Sequence, residues 1–172
     1  MSLSRILIAN RGEIAVRVAR AAIDMDIECV GVHSSDDAES LHTRMVAESI
    51  DLGRQGPAAY LDSAAIVEAA LKSGCDSVHP GYGFLSENHD FAQQCVDAGL
   101  AFIGPRPDLL KLFGDKAAAR QAAAKAGVET PRGIDGDVGE AETADFLDGL
   151  GGGGAIIKAV AGGGGRGTRI VH

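Results

Sequence analysis

The stretch RILIANRGEIAVRVARAAIDMDIECVGVH, residues 5–33, reads as strand, helix and strand in direct succession. Arg5 to Asn10 is an apolar run closed by a turn, the pattern of a buried strand. From Glu13 to Asp26 the apolar residues Ile14, Val18, Ala21, Ala22 and Met25 recur at helical spacing, and Ile27 to His33 is a second strand. Outward from this unit the alternation continues. Glu48 to Gly53 is a weaker third strand, and Asp62-Ser63 caps a helix over Ile66, Val67, Ala70 and Leu71 that ends at Gly74. Asp76 to Pro80 is a fourth strand, Ser86 opens a helix through Phe91 and Val96 that stops at Gly99, and Leu100 to Ile103 is a fifth. Strands separated by helices of this length predict an α/β fold with a doubly wound, mostly parallel sheet.

Beyond Pro107 the pattern changes. Asp115 to Ala126 is an alanine-rich helix ending at Gly127, residues 133–140 are a loop, and Glu142 to Leu150 is a short helix. Two strands follow, Ala155 to Val160 and Thr168 to His172, joined by a glycine-rich turn. A boundary near Gly104–Gly114 divides the chain into domains 1–112 and 113–172. The second is small, and a sheet of one hairpin needs further partners to be stable.

Composition narrows the function. The 172 residues are 45% hydrophobic and 23% charged, ordinary for a globular protein, with no Trp and only 4% aromatics. The net charge of −8 disfavours nonspecific binding to nucleic acid or an anionic membrane. The charge is uneven: residues 1–112 carry 9 basic against 16 acidic groups, and 113–172 carry 7 against 8. From Lys158 onward there are three basic residues and no acid, so a small anion is welcome there. No apolar run approaches the roughly 20 residues of a membrane span, and no leader pattern precedes the first strand, so a cytoplasmic location is expected. The three cysteines, Cys29, Cys75 and Cys95, form neither a disulfide framework nor a metal pair, and are expected to be buried thiols.

In doubly wound sheets ligands bind beyond the carboxyl ends of the strands. Those ends carry Asn10-Arg11-Gly12, His33-Ser34-Ser35, His79-Pro80-Gly81-Tyr82-Gly83 and Gly104-Pro105. A dinucleotide fingerprint needs three glycines as GxGxxG, and Asn10 to Ala15 supplies one, which argues against NAD. The helix N-terminus there remains a generic anion site, with Glu13 partly satisfying the dipole. His33 and His79 read as satisfied structural histidines. Glu87 reads as a dipole partner in the first turn of its helix, and the glycines of 81–83 as positions for unusual backbone angles. The strongest chemical signal is Gly162-Gly163-Gly164-Gly165-Arg166-Gly167. It lacks the lysine of a Walker loop, and a strand follows it where a helix is required. Its bare amides suit a lid over phosphates, with Lys158 adding a point charge; the alternative is a mobile surface hairpin or a linker continuing from Gly151–Gly154. Lys116 by itself is a surface lysine on a helix.

Several runs resemble biotin carboxylase: residues 8–15 (IANRGEIA), 79–88 (HPGYGFLSEN), 102–105 (FIGP), 114–116 (GDK) and 156–159 (IIKA) with the glycine loop after it. They occur in the family's order across nearly the whole chain. The resemblance implies a Rossmann-like pre-ATP-grasp domain and then the start of an ATP-grasp domain. It implies ATP, Mg²⁺ and bicarbonate, with carboxyphosphate carboxylating biotin on a carrier. Lys116 and Lys158 would contact ATP, and Gly162, Gly163, Gly164, Gly165, Arg166 and Gly167 would close over its phosphates. Tyr82 and Gly83 would lie on the biotin side of the cleft, and Arg17 and Arg20 at a homodimer interface. The implied partners are a biotin carboxyl carrier and a carboxyltransferase. The chain differs from the family pattern at Gly153-Gly154 (usually Tyr-Pro), Val160-Ala161 (Ser-Gly) and Thr168 (Met). The family's metal-binding glutamates, its bicarbonate and biotin arginines and its general base lie beyond the matched runs. No catalytic or metal-binding residue is therefore assigned, and residues 1–172 alone are expected to be inert. A carbamoyl-phosphate synthase-like ligase, or a non-enzymatic remnant that binds nucleotide or a partner, are the alternatives.

Overall fold

In the computed structural model, which describes residues 3–134, 136–158 and 167–171, the chain divides into two units, Met1–Lys111 and Leu112–His172. The first holds a five-stranded sheet of β1 (Arg5–Ile8), β2 (Glu28–His33), β3 (Glu48–Asp51), β4 (Ser77–His79) and β5 (Ala101–Phe102). All pairings are parallel and the order is β3-β2-β1-β4-β5. The expected doubly wound α/β sheet is therefore present. The chain builds outward from β1 to β3, returns across the sheet, and builds the other way from β4, so the topological switch lies between β1 and β4.

Side-chain alternation on the strands feeds two cores. Leu7, Val30, Val32 and Val78 point to one face, where they meet Tyr60, Ile66, Ala70, Phe91 and Cys95. Ile6, Ile8 and Cys29 point to the other, against Ala15, Ala19 and Ala22 of α1 (Gly12–Asp24). Those three alanines lie at i, i+4 and i+7, and their small size brings the helix close to the strands. The cysteines are buried and free, and burial raises their thiols, Cys95 to about 11.

Helix α2 (Ser63–Lys72) starts where the sequence places it, with the Asp62 carboxylate accepting from the Ala65 N–H at 3.1 Å. Removing this cap by Asp62→Ala is expected to cost about 1 kcal/mol. Tyrosine emission during a urea titration measures it, because Tyr60 and Tyr82 are the only fluorescent indicators in a chain without Trp and both lie in the first unit. Helix α3 (His89–Asp97) corrects an expectation. It begins at His89, not Ser86, because the Asn88 side chain caps it by accepting from the Phe91 N–H (2.9 Å). Residues 84–87 form turns instead, with the Ser86 N–H donating to the Gly83 carbonyl and Leu85 buried in the core. Glu87 consequently lies before the helix, and Asp90 is the acid of its first turn.

The sequence shows no helix at 107–114, yet α4 (Pro107–Gly114) forms there, with proline at its first position, and the division between units falls inside it. The second unit continues with α5 (Lys116–Lys125), capped by the Asp115 carboxylate, and α6 (Glu140–Asp148). Helix α6 starts two residues before its expected position because the Glu142 carboxylate accepts from the Gly139 N–H (2.9 Å). Strands β6 (Ala155–Lys158) and β7 (Thr168–Val171) pair antiparallel. Ile156 and Ile170, directly opposite each other, are both exposed. Among the described residues no helix is long and apolar enough to cross a membrane.

Candidate functional site

At the switch point the carboxyl-end turns of β1 and β4 lock together. Asn10, fully buried, donates through Nδ2 to the Pro80 carbonyl (2.7 Å) and the Tyr82 carbonyl (3.1 Å), while its Oδ1 accepts from the Arg11 N–H (2.9 Å). Gly81 sits directly against it at φ +65°; a Cβ there would lie 2.6 Å from Ile14 Cγ2 and 2.7 Å from Asn10 Nδ2. The amide thus fills the place where a doubly wound sheet admits a dinucleotide, the physical counterpart of the missing glycines.

The turn carried on this lock is strained. Gly81 and Gly83 take φ of +65° and +73°, and Phe84, which has a side chain, takes +41°. Phe84 stacks on Tyr60 with ring centroids 5.2 Å apart. Tyr82 projects outward, 55% exposed, and its hydroxyl donates to Glu13 Oε1 at 2.5 Å. That bond raises the phenol's pKa, which nearby Arg17 opposes. The histidines serve structure. His79 Nδ1 accepts from the Gly81 N–H (2.9 Å), and burial lowers its pKa; His33 Nδ1 lies 3.0 Å from the Ser34 carbonyl, which only accepts, so that nitrogen carries the proton.

A second network lies beside the first. The Arg11 guanidinium grips the Asp37 carboxylate with two bonds (2.5 and 2.7 Å), and Asp37 also accepts from the Tyr60 hydroxyl (2.9 Å) and Ser40 Oγ (3.1 Å). Tyr60 Oη in turn accepts from the Ser34 N–H (3.1 Å), and the guanidinium lies 5.9 Å from the Tyr60 ring centroid. Arg11 holds Asp37 far below the usual carboxylate range, and Asp37 raises Arg11. Sequence reading missed this trio, and no local signal marks Asp37.

Of the residues singled out from sequence, Tyr82 and Gly83 share the strained turn. Arg17 and Arg20 are exposed on α1, on one stripe with Glu13. In the second unit, Lys116 is the exposed first residue of α5, and Lys158 is the exposed last residue of β6, opposite Thr168. Gly167 has φ +76° at the far side of the hairpin connection. Gly162, Gly163, Gly164, Gly165 and Arg166 lie outside the described residues. Among the described residues no three His, Cys, Asp or Glu side chains are grouped to hold a metal ion.

The family model for the biotin carboxylase N-terminal domain matches residues 2–110, well over half of the chain. The chain belongs to this family. The chloroplastic biotin carboxylase of Arabidopsis thaliana is 47% identical over 96% of this chain and 31% of its own length. The biotin carboxylase of Campylobacter jejuni, solved as a β-γ-ATP complex, matches 99% of this chain with TM-score 0.91 and 41% identity, over 38% of its own length. The biotin carboxylase domain dimer of the Hydrogenobacter thermophilus 2-oxoglutarate carboxylase, solved with MgADP, ADP and bicarbonate, matches 99% with TM-score 0.90 and 40% identity, again over 38% of its length. The chain thus spans about a third of the biotin carboxylases it matches. Within the biotin carboxylase N-terminal domain, the Asn10 lock and the Glu13–Tyr82 bond tie together the runs 8–15 and 79–88, each of which resembles the family. Only their partnership was hidden, because 70 residues separate Asn10 from Pro80.

Proposed function

We propose that this chain forms the N-terminal part of an ATP-dependent biotin carboxylase, which activates bicarbonate as carboxyphosphate and carboxylates biotin on a carrier. The observation that carries this reading is the family match over the first unit, supported by likeness to the C. jejuni ATP-complex structure along 99% of the chain. On this reading residues 1–112 are the pre-ATP-grasp domain and 113–172 open the ATP-grasp domain. Lys116 and Lys158 bind ATP, and the loop from Gly162 through Gly167 closes over its phosphates. Exposed Lys158, at the strand end entering that loop, supplies a point charge to a phosphate oxygen, and catalysis is chiefly positioning and charge neutralisation. Mg²⁺ would neutralise further phosphate charge, but the described carboxylates form no group fit to hold it. Tyr82 and Gly83 line the biotin side of the cleft. A biotin carboxyl carrier and a carboxyltransferase are the partners, the location is cytoplasmic, and Arg17 and Arg20 face a second copy, as befits a relative solved as a dimer.

In the intact enzyme, Lys158→Ala is expected to lower kcat/KM for ATP about 10- to 100-fold, against less than about threefold for His33→Ala, whose ring bonds only backbone. Steady-state kinetics on protein of native circular dichroism checks this, and equal losses would sink the phosphate-lid assignment. Residues 1–172 alone are expected to show no bicarbonate- and biotin-dependent ATP hydrolysis; such activity in the purified chain would overturn the division of labour proposed here.

A further inference from the structure

Tyr82 is held at both ends by one turn of chain. Its carbonyl accepts from Asn10 Nδ2 (3.1 Å), and its hydroxyl donates to Glu13 Oε1 (2.5 Å), three residues further along at the start of α1. Both flanking glycines take left-handed angles, and the next residue, Phe84, is anchored on Tyr60. Yet Tyr82 as a residue stays 55% exposed. Fixing an exposed aromatic rotor costs conformational entropy and recovers little burial, so fold stability gives no reason to hold it. A phenol held still in solvent is instead a surface prepared for a ligand.

We propose that Asn10 and Glu13 are positioning residues for Tyr82, fixing its backbone and its ring so that it meets the biotin ring in one orientation. The inference rests on the reading that Tyr82 faces biotin. Glu13 acts through the hydroxyl and Asn10 through the carbonyl.

Exposed Glu13 is the safer position to change, since Asn10 is buried and its loss endangers the fold. The full chain labelled with ¹³Cζ-tyrosine has two signals, Tyr60 and Tyr82. Glu13→Ala is expected to shift the Tyr82 signal and lower its titration midpoint while Tyr60 stays in place, and Glu13→Gln, which keeps an acceptor, to recover part of the shift. In the intact enzyme, Glu13→Ala is expected to raise KM for free biotin roughly five- to tenfold with KM for ATP unchanged within about twofold. An unmoved Tyr82 signal overturns the inference. So do parallel changes in both KM values, or none in either, where Tyr82→Ala itself raises KM for biotin. If Tyr82→Ala leaves KM for biotin unchanged, the biotin-side assignment of Tyr82 falls and this inference falls with it.

Discussion

Gly81→Ala is expected to destabilise the first unit by about 2–5 kcal/mol, the largest loss from any single methyl group in this site. Two costs add. At φ +65° an alanine pays about 1–2 kcal/mol for the left-handed conformation. Its Cβ would also lie 2.6 Å from Ile14 Cγ2 and 2.7 Å from Asn10 Nδ2, and relieving that overlap costs about 1–3 kcal/mol more. Neither neighbour yields easily: Ile14 is on α1, and Asn10 is buried with its amide committed to two carbonyls. Gly83→Ala is the control, since at φ +73° it pays the conformational cost but meets nothing within 4 Å. Urea titrations followed by tyrosine emission should separate the two, with Gly81→Ala the more damaging. Equal losses would mean that the two turns are not in contact in solution.

Asp37→Ala is expected to cost on the order of 3 kcal/mol, because one carboxylate serves Arg11, Tyr60 and Ser40 together. Its side chain is 12% exposed while that of Arg11 is 44% exposed, so solvent softens the loss on the arginine side. The fully buried Tyr60 hydroxyl would keep only its bond from the Ser34 N–H. The pH dependence has a definite sign. Asp37 is depressed in the folded state, so its stabilisation is complete above the unfolded carboxylate pKa near 3.9 and declines as pH falls toward the folded value. The stability gap between native protein and Asp37→Asn should therefore hold constant from about pH 8 to pH 5 and narrow below about pH 4. Denaturant titrations at pH 7 and pH 3.5 test this; a gap that does not narrow would show that the ionised carboxylate is not the source.

Much of the first unit is legible along the chain. The strands at 5–8, 28–33 and 77–79 and the helices at 12–24 and 63–72 fall on the apolar periodicities that announce them, and Asp62 caps the helix it precedes. The helix expected from Ser86 fails for a reason that periodicity does not carry. Asn88 offers the better cap, and the residues before it are committed to the strained turn that seats Phe84 on Tyr60. The helix at 107–114 was hidden because its short apolar run, LLKLF, sits between a proline and a glycine that read as a boundary.

Local pattern records which side chains face a core, because burial on one side of a strand or helix imposes its period on successive residues. From that pattern alone follow the α/β class and the parallel sheet; the resemblance to biotin carboxylase is carried instead by the residue identities of runs such as 8–15 and 79–88. Which polar groups meet is another matter. Asp37 lies 26 residues from Arg11 and 23 from Tyr60, and Asn10 lies 70 from Pro80, distances at which no periodicity operates. These partners come together because β1 takes the central place between β2 and β4, setting the turns after all three strands side by side at one edge of the sheet. That order is a property of the folded chain, and with it come the buried amide of Asn10, the charge on Asp37 and the fixed ring of Tyr82.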